Sequence, residues 1–302
     1  MLAPVVLFAY KRDKHVKKVL TVLNKDKLAW QTDLIVFIDG CKNESDIPKV
    51  EAVKRVISEF QKENCFQKVI IYESNSNKGL ANSIIDGVTK IINKYGKVIV
   101  LEDDLLVSSD FLQFMNDGLN YYENDKRVGA ISGFCPKIKK KSAHGVYKAR
   151  TGNSCGWATW DYVWNAVDWK MNDYEKFRND SDRRKAFNQI QFGISDMLDC
   201  QMSGKLDSWA VRWDYYFFDQ KLWTVYPGVS KVQNIGFDEE GTTSNNMADR
   251  RRKIMAEAAK YTFVSFDDLF DMTMWTARYY KPSIFEKIID RLTAISKMEE
   301  GE

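Results

Sequence analysis

The sequence predicts an α/β fold in which a doubly wound, mostly parallel sheet merges with a smaller second half and runs into a helical tail. Three observations carry that expectation. Apolar runs of strand length alternate with amphipathic helical stretches through the first third of the 302 residues. The chain then becomes dense in Trp, Tyr and Gly with shorter elements, and beyond Asn246 the pattern is helical. With 44% hydrophobic residues the chain can bury a sizeable core.

Taken in order, Pro4 to Arg12 reads as the first strand and Lys14 to Asn24 as a helix. Asp33 to Asp39 reads as the second strand. Ile47 to Asn64 is a helix whose apolar positions are Val50, Val53, Ile57 and Phe60. Lys68 to Glu73 is the third strand, and Asn75 to Gly96 a loop and helix. Lys97 to Asp104 is the fourth strand, Phe111 to Glu123 a helix, and Val128 to Phe134 a short strand. Residues 1–125 form the first half, 126–246 the second, and 247–302 the helical extension. The two halves are expected to share one core. Open sheets of this class bind ligands beyond the carboxyl ends of their strands, so Tyr10, Lys11, Arg12, Asp39, Gly40, Glu73 and the Glu102–Asp104 string should face one crevice. In the tail, Ala248 to Tyr261 reads as one helix, and Pro282 opens another. The stripe Ile284, Ile288, Leu292 and Ile295 can dock on the body, on a partner subunit, or flat on a membrane.

Composition excludes several classes. A balance of 45 basic and 42 acidic residues, +3 overall, is no nucleic-acid footprint. No stretch approaches the ~20 apolar residues of a membrane span. The opening apolar run has no basic region ahead of it and reads as a buried strand. Cys41, Cys65, Cys135, Cys155 and Cys200 form no CxxC pair, and an odd number fits a reduced, cytoplasmic setting. Only His15 and His144 are available, which leaves little for zinc hydrolysis or a His-based triad, so chemistry here must lean on carboxylates. Several Trp residues cluster between Trp157 and Trp223. Their indole faces can hold sugar rings or simply fill the core.

The most informative string is Val98 to Leu105, an apolar strand ending in Glu102, Asp103 and Asp104. Three adjacent carboxylates are costly unless a cation neutralises them, and a hard divalent ion is the natural occupant. The bland alternative is a cap for the helix beginning near Ser109. Lys78-Gly79 can bring a cation and a close backbone approach to a ligand, or can be turn chemistry alone.

In this context the chain resembles the GT-A glycosyltransferases, in particular bacterial family 2-like sugar transferases related in pattern to N-acetylglucosaminyltransferase I. The resemblance spans roughly residues 4 to 246. It rests on the ordered set FAYKR, IDGCK, NKGLANSI, IVLEDDLLVSSDFLQFM, SCGWATW, LDSWAVRW and NIGFDEEGT. It implies metal-dependent transfer of a sugar from a UDP-, GDP- or dTDP-linked donor to a saccharide or lipid-linked saccharide acceptor, with Mn²⁺ or Mg²⁺ as cofactor. It further implies Asp104 as metal ligand, with Glu102 and Asp103 addressing the ribose and donor sugar. Asp39 would read the base, and Ala9, Tyr10, Arg12, Lys78 and Gly79 would line the base and ribose pocket. Gly156 and Trp157 fall in the family's flexible loop, whose Trp can cover a sugar, although a tight turn under a core Trp serves as well.

An inverting reaction needs a carboxylate on the acceptor side. Asp207, in Asp207-Ser208-Trp209, resembles the family's base. Asp214 is the runner-up, and capping the helix near Ser208 is the structural alternative for Asp207. One departure is the lack of a histidine in Gly236 to Thr243, where Asp238, Glu239, or phosphate and water would complete the metal shell. A catalytically inactive saccharide-binding scaffold and a sugar nucleotidyltransferase are the rival readings; the latter usually carries a Gly-rich loop where this chain has KRDKH. Cell-surface glycan synthesis follows from the resemblance, while the cytoplasmic setting follows from the cysteines and a peripheral place on the inner membrane face from the C-terminal stripe.

Overall fold

The computed structural model describes residues 1–137, 142–237 and 255–279. The first half is built as the sequence predicts, with β1 (Val5–Ala9), α1 (Asp13–Leu23), β2 (Asp33–Ile38), α2 (Ile47–Lys62), β3 (Lys68–Glu73), α3 (Leu80–Tyr95) and β4 (Lys97–Glu102). These strands pair in parallel in the order β3-β2-β1-β4. β1 is buried along its whole length because it is an interior strand covered on both faces. Helix α1 turns His15, Val16, Val19, Leu20 and Leu23 inward, the spacing of a single apolar stripe.

Two strand ends differ from the reading above. β1 stops at Ala9 and β4 at Glu102, so Tyr10 to Arg12 and Asp103–Asp104 form bends at the sheet edge. After the acidic turn come β5 (Leu105–Val107), α4 (Phe111–Tyr121) and β6 (Val128–Ser132). The second half continues with β7 (Val146–Ala149), β8 (Trp157–Trp160), α5 (Asp161–Trp164), α6 (Tyr174–Arg178), α7 (Ser181–Phe187), α8 (Ile194–Met202), α9 (Trp209–Asp219), β9 (Trp223–Pro227) and β10 (Val232–Asn234).

Strands of the second half extend the same sheet. β8 runs antiparallel to both β4 and β6, and β9 lies parallel to β6 and antiparallel to β7. β5 and β10 form a separate antiparallel ribbon, with Leu105 opposite Asn234. The main apolar cluster contains residues from both sides of 125/126, from Ala3 and Val5 to Trp157, Trp213 and Val225. A satellite cluster lies under the short helices, around Phe177, Phe187, Leu198 and Tyr215.

The tail departs from expectation. Residues 255–265 adopt no helix and run as a strap along the body. The Glu257 and Thr262 amides donate to the Ser230 and His144 carbonyls at 2.9 and 2.8 Å, and the Tyr122 hydroxyl donates to the Val264 carbonyl at 2.7 Å. Packing overrides the helical composition of this stretch, as Tyr261 and Phe263 lie against Phe114. A short β11 (Phe270–Asp271) then joins β7, and α10 (Thr273–Tyr279) follows. The stripe at Ile284, Ile288, Leu292 and Ile295, together with Asp238 and Glu239, lies outside the described residues. Among those residues no helix is long and apolar enough to cross a membrane.

Candidate active site

The carboxyl ends of β1 and β4 are neighbours in the sheet, and Phe8 pairs with Glu102. This register brings the bend after β1 against the acidic turn. The Arg12 guanidinium donates to Asp103 Oδ1 and, at 3.0 Å, to Asp104 Oδ2. Burial works against charge on Arg12, but Asp103 and Asp104 outweigh it and raise its pKa. Arg12 also ends the bend, since its carbonyl accepts from the His15 and Val16 amides in the first turn of α1.

The three carboxylates are unequal. Burial pushes Asp103 up to about 6 despite Arg12 and the Tyr10 amide. Glu102 is pushed up to about 8 by burial and then by Asp104 and Asp103, with Arg12 only partly offsetting them. None of them caps α4, whose first residue follows Asp110. The β5–β10 ribbon closes one side of the turn. The Ile235 amide donates to the Asp104 carbonyl at 2.9 Å, and a Cβ on Gly236 would lie 2.0 Å from Asp104 Oδ2. Only a glycine allows the backbone so close.

Among the described residues no set of three or more His, Cys, Asp or Glu side chains converges as a ready metal cage. The acidic turn nonetheless fits a divalent ion. One guanidinium faces three carboxylates, and the unneutralised charge of Asp104 and Asp103 adds to burial in raising Glu102. Mg²⁺-type sites commonly use one or two carboxylates and take their other ligands from phosphate and water.

Asp39, at the end of β2, is fully engaged. Its Oδ1 accepts from the Gly40 and Lys78 amides, both at 2.9 Å, and its Oδ2 from the Asn77 side-chain amide and the Gly79 amide, both at 3.1 Å. It therefore clamps the 77–79 loop, where a base-reading role would need a lone pair left over. Ala9 is buried, and its carbonyl accepts from the Asp39 amide at 3.0 Å. The Tyr10 hydroxyl donates to Asp46 Oδ2 at 2.6 Å, and Lys11 pairs with the same carboxylate at 3.1 Å, which fixes the rim of the pocket. The Lys78 ammonium is turned to Asp86 at 2.8 Å on the exposed side of α3, so it is not aimed at the acidic turn.

Asp207 comes from the second half to the amino end of α3. Its Oδ2 lies at the first turn of α3, 3.4 Å from the Ala81 amide, and a Cβ on Gly79 would fall 2.8 Å from it. The side chain is exposed. Capping of α9 falls to Ser208, whose hydroxyl accepts from the Val211 amide, so the capping alternative for Asp207 does not hold. Arg212, one turn into α9, feels the Asp207 charge and donates to the Trp169 carbonyl at 2.7 Å.

Asp214, by contrast, faces the interior. It accepts from the Gly152 amide at 2.7 Å, and burial raises it to about 6. It is half-buried and orients the loop leading to Cys155. Trp157 is 1% exposed and stacks in a cluster with Trp164, Trp209 and Trp213 at 5.4, 5.1 and 5.5 Å. It is core and not a lid over a sugar. Gly156 is buried beneath Val232 and Leu101. The half-buried member of that loop near the acidic turn is Cys155, whose thiol is raised to about 12 by burial and then by Glu102 and Asp104. A thiol so raised is no nucleophile. Sequence reasoning missed the pairing of Arg12 with the acidic turn and the approach of Gly236. The first was readable from strand order, because doubly wound folds set the first strand beside the fourth.

No family model matches the chain, and no curated protein matches it. Solved structures do. A mannosyltransferase, PcManGT from Pyrobaculum calidifontis, in complex with GDP-Man and Mn²⁺, aligns at 14% identity and a TM-score of 0.37, over 55% of this chain and 46% of that one. S. aureus TarS 1-349 aligns at 10% identity and a TM-score of 0.38, over 56% and 49%. S. aureus TarS aligns at 11% and 0.35, over 56% and 30%. This chain thus matches less than half the length of each of these structures, and the functional reading rests on its own residues.

Proposed function

We propose that this chain is a glycosyltransferase that moves a sugar from a nucleotide diphosphate donor to a saccharide or lipid-linked saccharide acceptor with inversion at the anomeric centre. What supports the reading is an acidic turn at the carboxyl end of β4 in one half, and from the other half the exposed Asp207 carboxylate lying against the first turn of α3, which follows the carboxyl end of β3. A substrate between them has a wall for the leaving group and a wall for the attacking group.

The residues divide the work. Asp104, with Glu102 beside it, would hold Mn²⁺ or Mg²⁺. Such an ion, when bound, supplies neutralisation of the departing diphosphate. Arg12 keeps the turn in place and holds Asp103 as its internal partner. Asp39 shapes the 77–79 loop against the donor. Asp207 takes the proton of the acceptor hydroxyl as that oxygen bonds to the anomeric carbon and the bond to the diphosphate breaks. Direct displacement of this kind inverts the centre. Synthesis of a cell-surface glycan at the inner membrane face belongs to the same proposal and is supported by the sequence resemblance alone.

The test compares Asp207→Asn with Asp214→Asn on a panel of nucleotide sugars, with product anomericity read by NMR. Loss of a positioned base costs ~10² to 10⁴ in rate, while donor affinity should be unchanged in Asp207→Asn. Near wild-type turnover in Asp207→Asn removes it as the base. A product that keeps the donor configuration discards single displacement.

A further inference from the structure

Helix α1 carries its charge on one side. Its inward positions are His15, Val16, Val19, Leu20 and Leu23, and its exposed ones are Lys14, Lys17, Lys18 and Thr21, a stripe within about 100° of arc. The tight turns that follow continue the pattern, directing Asp26 and Ala29 inward and Lys25, Lys27 and Trp30 outward. From residue 13 to residue 31 five lysines stand against two carboxylates, and one of those, Asp26, is buried where it accepts from the Leu28 and Leu112 amides. No part of the catalytic proposal uses this surface.

Two observations set the surface's chemistry. None of Lys14, Lys17, Lys18, Lys25 and Lys27 has an ion-pair partner among the described residues, whereas Lys11, Lys54, Lys78 and Lys231 are each paired. The spacing also works against the helix itself. Lys14 faces like charges three and four residues on, at Lys17 and Lys18, and it lies in the first turn, where the helix dipole disfavours a cation. A stripe that costs local stability and finds no partner within the chain calls for anions outside it. Beside it, Trp30 is 66% exposed, the most exposed aromatic residue among those described. Among the described residues no other ring and no cation packs against its indole. An indole left open in this way suits a boundary with an apolar side and a wet side.

We infer that the α1 stripe and Trp30 form a docking surface for an anionic lipid bilayer, with the lysines over the headgroup phosphates and the indole at headgroup level. Lysine point charges on the convex back of a helix match a plane of phosphates, whereas single-stranded nucleic acid is held in a groove that tracks its backbone. Lys14 is two residues from Arg12, so the stripe begins beside the acidic turn. A bilayer under it would carry a lipid-linked acceptor to that edge of the protein. This last consequence rests on the transferase reading; the docking itself does not.

The experiment sediments the full chain with vesicles of phosphatidylcholine alone or mixed with phosphatidylglycerol. Each lysine near an anionic surface strengthens binding about fivefold, or ~1 kcal/mol. The triple variant Lys17→Gln, Lys18→Gln, Lys25→Gln should therefore bind the mixed vesicles about 100-fold more weakly. These changes relieve like-charge contacts on an exposed face, so they keep the fold. Lys170→Gln, Lys176→Gln, Lys205→Gln removes the same net charge from exposed positions of the second half and should cost less than about tenfold. Trp30→Ala should weaken binding about fivefold, the equivalent of about 40 Å² of apolar surface. Binding should also fall away as salt rises from about 0.1 to 1 M, because the screening length shrinks from about 10 to 3 Å. No sedimentation with the mixed vesicles, equal sedimentation with phosphatidylcholine alone, equal losses in the two triple variants, or binding to single-stranded RNA in place of vesicles overturns the inference. Turnover on a soluble acceptor separates it from the transferase reading: turnover without vesicle binding sinks only the docking surface, and vesicle binding without turnover sinks only the reaction.

Discussion

Gly79→Ala tests the link between the two halves of the site. Gly79 adopts φ 76° and ψ 163°, a region open essentially to glycine alone. An added Cβ would sit 2.8 Å from Asp207 Oδ2, so the carboxylate must move. The backbone cost is about 1–3 kcal/mol. The contact itself should add little to that, because an exposed side chain can swing aside. Its effect falls on turnover instead: a displacement of about 1 Å at a reacting group can cost on the order of 10²-fold. Gly96→Ala is the control. Gly96 has φ 76° and ψ −19°, with nothing within 4 Å of its Cβ position, so it should lose about 1–2 kcal/mol and no turnover. Urea denaturation gives the stability of both variants, and initial rates at matched folded fraction give activity. Equal turnover in the two would refute the claim that the first turn of α3 positions Asp207.

Two further outcomes follow from the buried charges. Arg12→Met leaves Asp103 and Asp104 without their partner and should destabilise by about 3–5 kcal/mol; millimolar Mn²⁺ should raise its melting temperature more than that of the wild type, and an equal rise in both would remove Arg12 as the resident counter-charge. Asp214, raised from 3.8 to about 6 by burial, binds its proton more tightly folded than unfolded. Its stabilising contribution is complete below about pH 4 and is lost as pH rises through 6, by at most about 3 kcal/mol. Asp214→Asn should flatten that part of the stability profile, and an unaltered slope between pH 4 and 6 would contradict it.

The first half was legible because interior parallel strands read as unbroken apolar runs and their helices as single stripes. Lys68 to Glu73 was located to the residue, and the other strand starts to within one. Errors gathered at carboxyl ends, where side chains and not backbone periodicity decide the stop. Tyr10 to Arg12 leave the strand because Asp103, Asp104 and Asp46 hold their side chains. The second half was harder to read for the opposite reason. A Trp has the same sequence signature in a core as over a sugar, and only burial shows Trp157 to be core. Asp39 and Asp214 were equally opaque, since a carboxylate that holds a loop and one that meets a ligand look alike until backbone amides are placed beside them. The strap at 255–265 escaped for want of any local signal, its conformation being set by α4 and by the 142–146 and 228–230 turns.

The acidic turn shows how the fold converts three equivalent letters into three chemistries. Asp103 is spent on Arg12 and the Tyr10 amide, and Asp104 shares Arg12 under the Gly236 backbone. Glu102 is raised by burial and then by Asp104 and Asp103, with Arg12 only partly offsetting them. Three carboxylates against one guanidinium leave two negative charges when all are ionised, the complement of a single divalent ion. Burial, with Asp104 and Asp103, makes Glu102 take up a proton more readily than an ordinary carboxylate. A divalent ion bound beside it would favour the ionised form and expel that proton, as metal binding to acidic ligands commonly does. Ion affinity should therefore climb with pH, by up to about tenfold per unit between 6 and 8, and level off above 8. Titration of Mn²⁺ with UDP or GDP present, at pH 6.5 and 8.0 in buffers of different ionisation heat, counts the protons released. Release approaching one proton per ion at pH 6.5 and falling away at 8.0 is the expected result, and Glu102→Gln should abolish it. Nucleotide affinity that is the same in EDTA as in Mn²⁺ would remove the ion from Asp104 altogether, whereas an ion that binds with no proton released would place it away from Glu102.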